Sequence, residues 1–164
     1  MTWRLIPLPL AFMCVALAGC GGSKKPPPEP PPPPPPPTLE LKVNGSADQN
    51  PGADKTPGPV SIHVYDLAGT EKFSKADVFA LTDHEQATLG ADHLGSSDFV
   101  LKPSETQTLK RDLKPGTQFI GVLALFYDID NAQWRASAAV AAHGPTRLVL
   151  TVDKLSVSLK PAGP

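Results

Sequence analysis

The sequence predicts a mainly β fold, an antiparallel β-sandwich of about seven to eight short strands with two short inserted helices. Three observations predict it. Apolar and polar residues alternate over residues 60–65, with Val60, Ile62 and Val64 facing one way and Ser61, His63 and Tyr65 the other. Comparable short runs recur to the C-terminal end, separated by turn residues. A single stretch between Phe73 and Gly90 carries helical punctuation instead.

Leu39, Leu41 and Val43 open the domain as a half-buried strand, and residues 60–65 form the next. Ser74 and Asp77 then stand at capping-box spacing, with Phe73 and Val78 at the staple positions around them. Thr82 and Glu85 repeat the spacing, and Gly90 closes the unit, which predicts helices over 75–81 and 83–89. Phe99 and Leu101 mark a short strand, and residues 106–113 another. The run "FIGVLALFY", residues 119–127, is almost wholly apolar and predicts a central strand covered on both faces. A turn at Asp130-Asn131, where Asn131 tolerates positive φ, leads to a strand over 134–140. Leu148, Leu150 and Val152 have one parity, and Leu155, Val157 and Leu159 the other. A strand changes face with each one-residue slip, so a β-bulge is expected at Asp153-Lys154.

The N-terminal segment has a different character. Arg4 is the only charge before an apolar run over 5–16, which is shorter than the ~20 residues a membrane helix needs. Leu17-Ala18-Gly19-Cys20 closes it and resembles the bacterial lipoprotein signal, in which cleavage falls between Gly19 and Cys20 and lipid is attached to the cysteine. That pattern implies a signal peptide over 1–19 and an acylated Cys20 at the new N-terminus. Cys14 leaves with the signal, so the mature chain has no free thiol and no disulfide, and a packed core must hold it. Gly21 follows the cysteine, which by the sorting pattern of such lipoproteins implies the outer membrane, facing the periplasm. Two or more acyl chains anchor a protein stably where one does not.

Residues 26–37 are proline apart from Glu29. A polyproline II tract rises about 3.1 Å per residue, so these twelve positions span roughly 37 Å as a semi-rigid spacer. The domain organisation is therefore a signal over 1–19, a lipidated N-terminus and proline-rich linker over 20–37, and a sandwich domain over 38–164. A docking site for a proline-binding module is the second reading of the tract.

The remaining motifs are fragments. "DIDNAQ", from Asp128, begins like a calcium loop but has Gln133 at the glycine position and Ala139 at the final glutamate position. "GADHLGSS", residues 90–97, has Ser96 in place of the phosphate-loop lysine and reads as a loop after a helix. His63, His84, His93 and His143 are scattered, and no pair has metal-ligand spacing. There is no Gly-x-Ser-x-Gly elbow. A formal charge of −1 without a basic block gives no signature of nucleic-acid binding. The expectation is a protein without catalytic residues, metal or cofactor, apart from covalent lipid on Cys20.

Residues 47–58, "ADQNPGADKTPG", form a polar connection well beyond the two to five residues usual in a hairpin. Long loops on rigid sandwiches often carry binding. The sequence leaves two readings open, a binding loop and a merely flexible excursion; on the first, shortening residues 47–58 to a two-residue turn is expected to weaken partner binding with little loss of stability.

Five segments in order, "PVSIHVYDL" (59–67), "FSKADVFAL" (73–81), "LG" (89–90), "LKPG" (113–116) and "GVLALFYDIDNAQWRA" (121–136), resemble the TssJ family. These are outer-membrane lipoproteins of the bacterial type VI secretion system. The resemblance covers about residues 39–160. It implies a transthyretin-like sandwich with added helices and a place in the membrane complex. It also implies a partner, the periplasmic C-terminal region of the inner-membrane TssM (IcmF-like) protein. The family's contact element maps onto residues 47–58, which makes Asp48, Gln49, Asn50, Pro51, Asp54 and Lys55 the candidate partner-binding residues. Asp128 stands where the family commonly has arginine. The alternative from another class is a periplasmic lipoprotein that binds a small molecule or glycan.

Overall fold

The computed structural model describes residues 34–163. Gly19, Cys20 and the proline tract up to residue 33 lie outside the described residues. The strands are β1 (Thr38–Gly45), β2 (Val60–Leu67), β3 (His93–Leu101), β4 (Thr106–Asp112), β5 (Phe119–Leu125), β6 (Arg135–Ala139), β7 (Pro145–Val152) and β8 (Val157–Pro161). Three short helices, α1 (Glu71–Lys75), α2 (Val78–Asp83) and α3 (Glu85–Leu89), lie between β2 and β3. The strands form two four-stranded sheets, ordered β4-β1-β7-β8 and β3-β2-β5-β6.

Alternating side chains make the two inner faces. Leu39, Leu41 and Val43 of β1 and Leu148, Leu150 and Val152 of β7 meet Val60, Ile62 and Val64 of β2 and Ile120, Val122 and Ala124 of β5. Each fully buried aliphatic side chain of this kind contributes about 1.5–3 kcal/mol relative to exposure. All named pairings are antiparallel except β1 with β7, which run parallel with Leu41 opposite Leu148. One side of the sandwich is joined by a parallel bridge between Gln133 and Ser156.

The outer face of β2 and β5 is covered too. Tyr65, Leu67 and Leu123 pack there against Phe73, Val78, Leu81 and Leu89 of the helices. This explains the unbroken apolar run of β5, buried from Ile120 to Ala124 on both faces. Gly121 makes the contact possible, because a Cβ there would stand 2.8 Å from Leu67 Cδ1 and 3.0 Å from Phe73 Cζ. Arg135 donates to the carbonyls of Phe73 and Ala76, at 3.1 and 2.7 Å, and its guanidinium lies over the Trp134 ring. It thereby satisfies carbonyls that the end of α1 leaves free.

The two sheets are also tied by charge. Arg111 of β4 donates from both terminal nitrogens to Asp66 of β2, at 2.7 and 2.6 Å. Asp66 is buried, and a bidentate geometry of this kind is the strong form of an ion pair.

Local details differ from the sequence expectations. Three helices form where the spacing predicts two. Asp77 caps α2 by accepting from Ala80 N, while Ser74 lies inside α1 and donates to Glu71 O. The Thr82–Glu85 box does not form, because the Thr82 hydroxyl turns back to Val78 O and Phe79 O. Gly90 does close α3, at φ +58°. Residues 90–97 are not a loop: a single 3₁₀ turn (Gly90–Asp92) leads directly into β3. Asn131 lies in a 3₁₀ turn (Ile129–Asn131) and is not among the positive-φ residues. The parity switch at Asp153-Lys154 is a reversal of the chain rather than a bulge. Asp153 N donates to Ser156 O, and Val152 pairs with Val157, so both faces stay in register.

Candidate functional site

The connection after β1 is long because β1 and β2 belong to different sheets, so it must cross the end of the sandwich. Its two sides are pinned. Gln49 and Asn50 are fully buried. The Gln49 amide donates to Leu101 O at 2.9 Å and Gly58 O at 3.4 Å, and Gln49 O accepts from Gly58 N at 3.1 Å. Asn50 sits at φ 45°, a conformation asparagine tolerates better than most residues. Its backbone N–H donates to Lys154 O at 2.9 Å, its side-chain amide donates to Pro59 O, and its Oδ1 accepts from Tyr127 N at 2.7 Å.

Residues 53–57 form the exposed tip. Gly52 N donates to Thr56 O and Lys55 N donates to Gly52 O, both at 2.9 Å. Asp54 accepts from Thr56 N at 3.0 Å and from the Thr56 hydroxyl at 2.8 Å. These two bonds favour the charged form and hold the Asp54 carboxyl below the usual carboxylate range. The loop is thus ordered by its own polar groups at the tip and by the sandwich at its base.

Two other connections reach the same end. The β5–β6 connection brings Tyr127 and Asp128, and the β7–β8 turn brings Lys154 and Leu155; with the loop they wall an open groove of about 680 Å³. Tyr127 is 66% exposed. A Cβ at Gly58 would stand 2.9 Å from Tyr127 Cε2, so the ring lies directly against the loop backbone. Asp128 accepts from the Asn131 amide at 2.8 Å.

The six candidate residues therefore separate. Asp54 and Lys55 are exposed at the tip, Asp48 is exposed beside the groove, and Pro51 is half-buried in its wall. Gln49 and Asn50 are buried braces with no surface to offer a partner. The same burial corrects the expectation that the loop can be shortened to a two-residue turn with little loss of stability, because that deletion would remove the braces with it. Tyr127, Lys154 and Leu155 belong to the groove, and the sequence reading missed them. Tyr127 reads there as the end of a core strand, and its signal was the acidic pair Asp128 and Asp130 directly after it.

Small-molecule sites enclose most of their ligand. Here Ala53, Lys55, Tyr127, Asp128 and Lys154 of the lining are all solvent-exposed, which suits a macromolecular surface. Among the described residues, no three His, Cys, Asp or Glu side chains converge to hold a metal ion.

Comparison with known proteins gives a consistent picture. The family model for type VI secretion lipoproteins (VasD, EvfM, TssJ, VC_A0113) matches residues 37–155. The fold is similar to the type VI lipoprotein TssJ1 from Pseudomonas aeruginosa, with 29% identity, TM-score 0.76, and 79% of this chain and 99% of that chain covered. It is similar to Serratia marcescens Lip, a membrane-bound component of the type VI secretion system, at 22% identity and TM-score 0.71, covering 79% and 99% of the two chains. A chain in the structure of the TssM C-terminal domain (869–1107) from EAEC aligns at 25% identity and TM-score 0.65, covering 76% and 98%. Comparison with curated protein sequences gives no match.

Proposed function

Since the chain belongs to the type VI secretion lipoprotein family, we propose that it is the lipid-anchored element that ties the secretion membrane complex to the outer membrane. Lipid on Cys20 holds it at the periplasmic side of that membrane, and residues 26–37 set the distance. The loop end of the sandwich docks the periplasmic C-terminal region of the inner-membrane TssM (IcmF-like) protein. The task is mechanical, and no catalytic step is involved.

The observation that carries this reading is the ordered, surface-facing groove between the braced loop, Tyr127 and the β7–β8 turn. Its place in the fold supports it as well. The linker joins β1 at Thr38, where Pro37 O accepts from Leu113 N and Pro35 O accepts from Gly144 N. The loop leaves β1 at Gly45. A strand rises about 3.3 Å per residue, so Thr38, where the linker joins, and Gly45, where the loop leaves, lie roughly 23 Å apart at opposite ends of β1.

The test uses the full chain purified from membranes in detergent, mixed with the periplasmic domain of the TssM-like protein from the same organism. A stable complex is expected. Cys20→Ser should leave the outer-membrane fraction while its folded domain still binds. Absence of a complex with the wild-type chain would refute the docking role, and Cys20→Ser protein remaining in the outer membrane would refute the anchor.

A further inference from the structure

We propose that Tyr127 is the anchor of the docking face and that Asn50 is the positioning residue that fixes it there; this rests on the function proposed above. Three large apolar side chains are strongly exposed among the described residues: Phe79, Val100 and Tyr127. Phe79 lies on α2 and Val100 on β3, neither lines the groove, and single exposed apolar residues need no special account. Tyr127 alone lines the groove.

Its surroundings differ from those of an incidental surface aromatic. One side of the ring rests on Gly58, where a side chain would displace it, and the rest faces water. Its backbone N–H is held by the buried Asn50 side chain at 2.7 Å. Aromatic side chains give large contact area at low entropic cost, and a ring already held in place loses less freedom still on binding. Binding energy concentrates in such residues near the centre of an interface.

Asn50 is suited to the positioning role because it touches every wall of the groove. It belongs to the loop, its side chain is bonded to Pro59 where the loop re-enters β2 and to the Tyr127 N–H of the β5–β6 connection, and its backbone N–H donates to Lys154 O in the β7–β8 turn. Both ends of its amide are used, as a buried polar group requires. Loss of that side chain frees the Tyr127 backbone and Pro59 from one another and leaves the backbone bond to Lys154 in place.

The groove also indicates what it accepts. Pro51, Ala53 and Leu155 supply apolar wall beside the tyrosine ring, while Asp48, Lys55, Asp128 and Lys154 place both signs of charge around it. An apolar centre with a mixed-charge rim fits a folded protein segment that presents an apolar side chain among polar neighbours. Charge of both signs gives no preference for a strongly acidic or strongly basic ligand.

The experiment is a titration of the full chain, in detergent, against the TssM-like periplasmic domain, with folding of each variant checked by circular dichroism. Tyr127→Ala is expected to raise Kd about 30-fold or more, and Tyr127→Phe to stay within about threefold, because the ring rather than the hydroxyl is the anchor. Asn50→Ala should weaken binding alone and add little in the Tyr127→Ala background. Strictly additive losses would overturn the positioning role. A paired tip variant, Asp54→Ala with Lys55→Ala, separates this inference from the reading beneath it. Full affinity of Tyr127→Ala with loss in the tip variant overturns the anchor and leaves loop docking standing. Full affinity in both removes the loop end from the interface altogether.

Discussion

Replacing Arg111 with methionine tests how much the tie between the sheets is worth. The substitution keeps most of the aliphatic stem and removes the guanidinium. Asp66 then keeps a carboxylate that is 1% exposed and has lost both bonds, of 2.7 and 2.6 Å. Removing one member of a buried pair typically costs about 3–5 kcal/mol, mostly for the stranded charge. The Arg111 side chain is 23% exposed, so water reaches part of the pair and the lower end, about 3 kcal/mol, is the expected loss. That is a large share of the ~5–15 kcal/mol total stability of a typical domain. The assay is urea unfolding followed by circular dichroism, with the midpoint shift converted through a common slope. The double variant Arg111→Met with Asp66→Leu removes both charges, and it should recover most of the loss, since a buried pair gains little over a packed apolar one. A loss below ~1 kcal/mol for Arg111→Met would mean that the pair behaves as a screened surface contact, and the reasoning would fail. It would fail equally if the double variant were less stable than the single one.

Two further outcomes follow from the packing. Gly121→Ala should destabilise by about 1–3 kcal/mol, because the new methyl overlaps Leu67 and the Phe73 ring that seats the helices; a thermal melt unchanged from wild type would refute that contact. Burial, with a smaller contribution from the Glu85 charge, pushes the Tyr65 hydroxyl well above its ordinary value of 10.0. The folded value lies above the unfolded one, so this contribution is complete below pH ~10 and is lost as pH rises further, because unfolding then releases the proton. Ultraviolet titration of Tyr127→Phe protein should accordingly show no phenolate from Tyr65 near pH 10 in the folded state, and an ordinary tyrosine titration there would contradict its burial.

Much of the sandwich was legible because side-chain alternation is a local property. Leu39, Leu41 and Val43, or Val60, Ile62 and Val64, can be assigned to one face from neighbours two positions apart. The same holds for the apolar run of β5, whose composition alone implied cover on both faces. Capping was less legible, since Ser74, Asp77 and Thr82 are all plausible caps by type. The choice fell to Asp77 when Phe73 and Val78 docked on the sheet. The parity change after Val152 had two local solutions, a bulge or a reversal, and pairing of Val157 back onto Val152 selected the reversal.

The sequence by itself determined the strand-rich domain and the place of a long polar loop, because each is written in consecutive residues. Tertiary structure alone decided what that loop is. Gln49 finds its acceptor 52 positions away in Leu101, and Asn50 its donor 77 positions away in Tyr127. The Gln49 amide nitrogen and both ends of the Asn50 amide are buried on partners remote in sequence, so no local pattern separates these two braces from Asp54 and Lys55. The crossing between sheets brings those partners together, and with them the groove in which Tyr127 stands exposed.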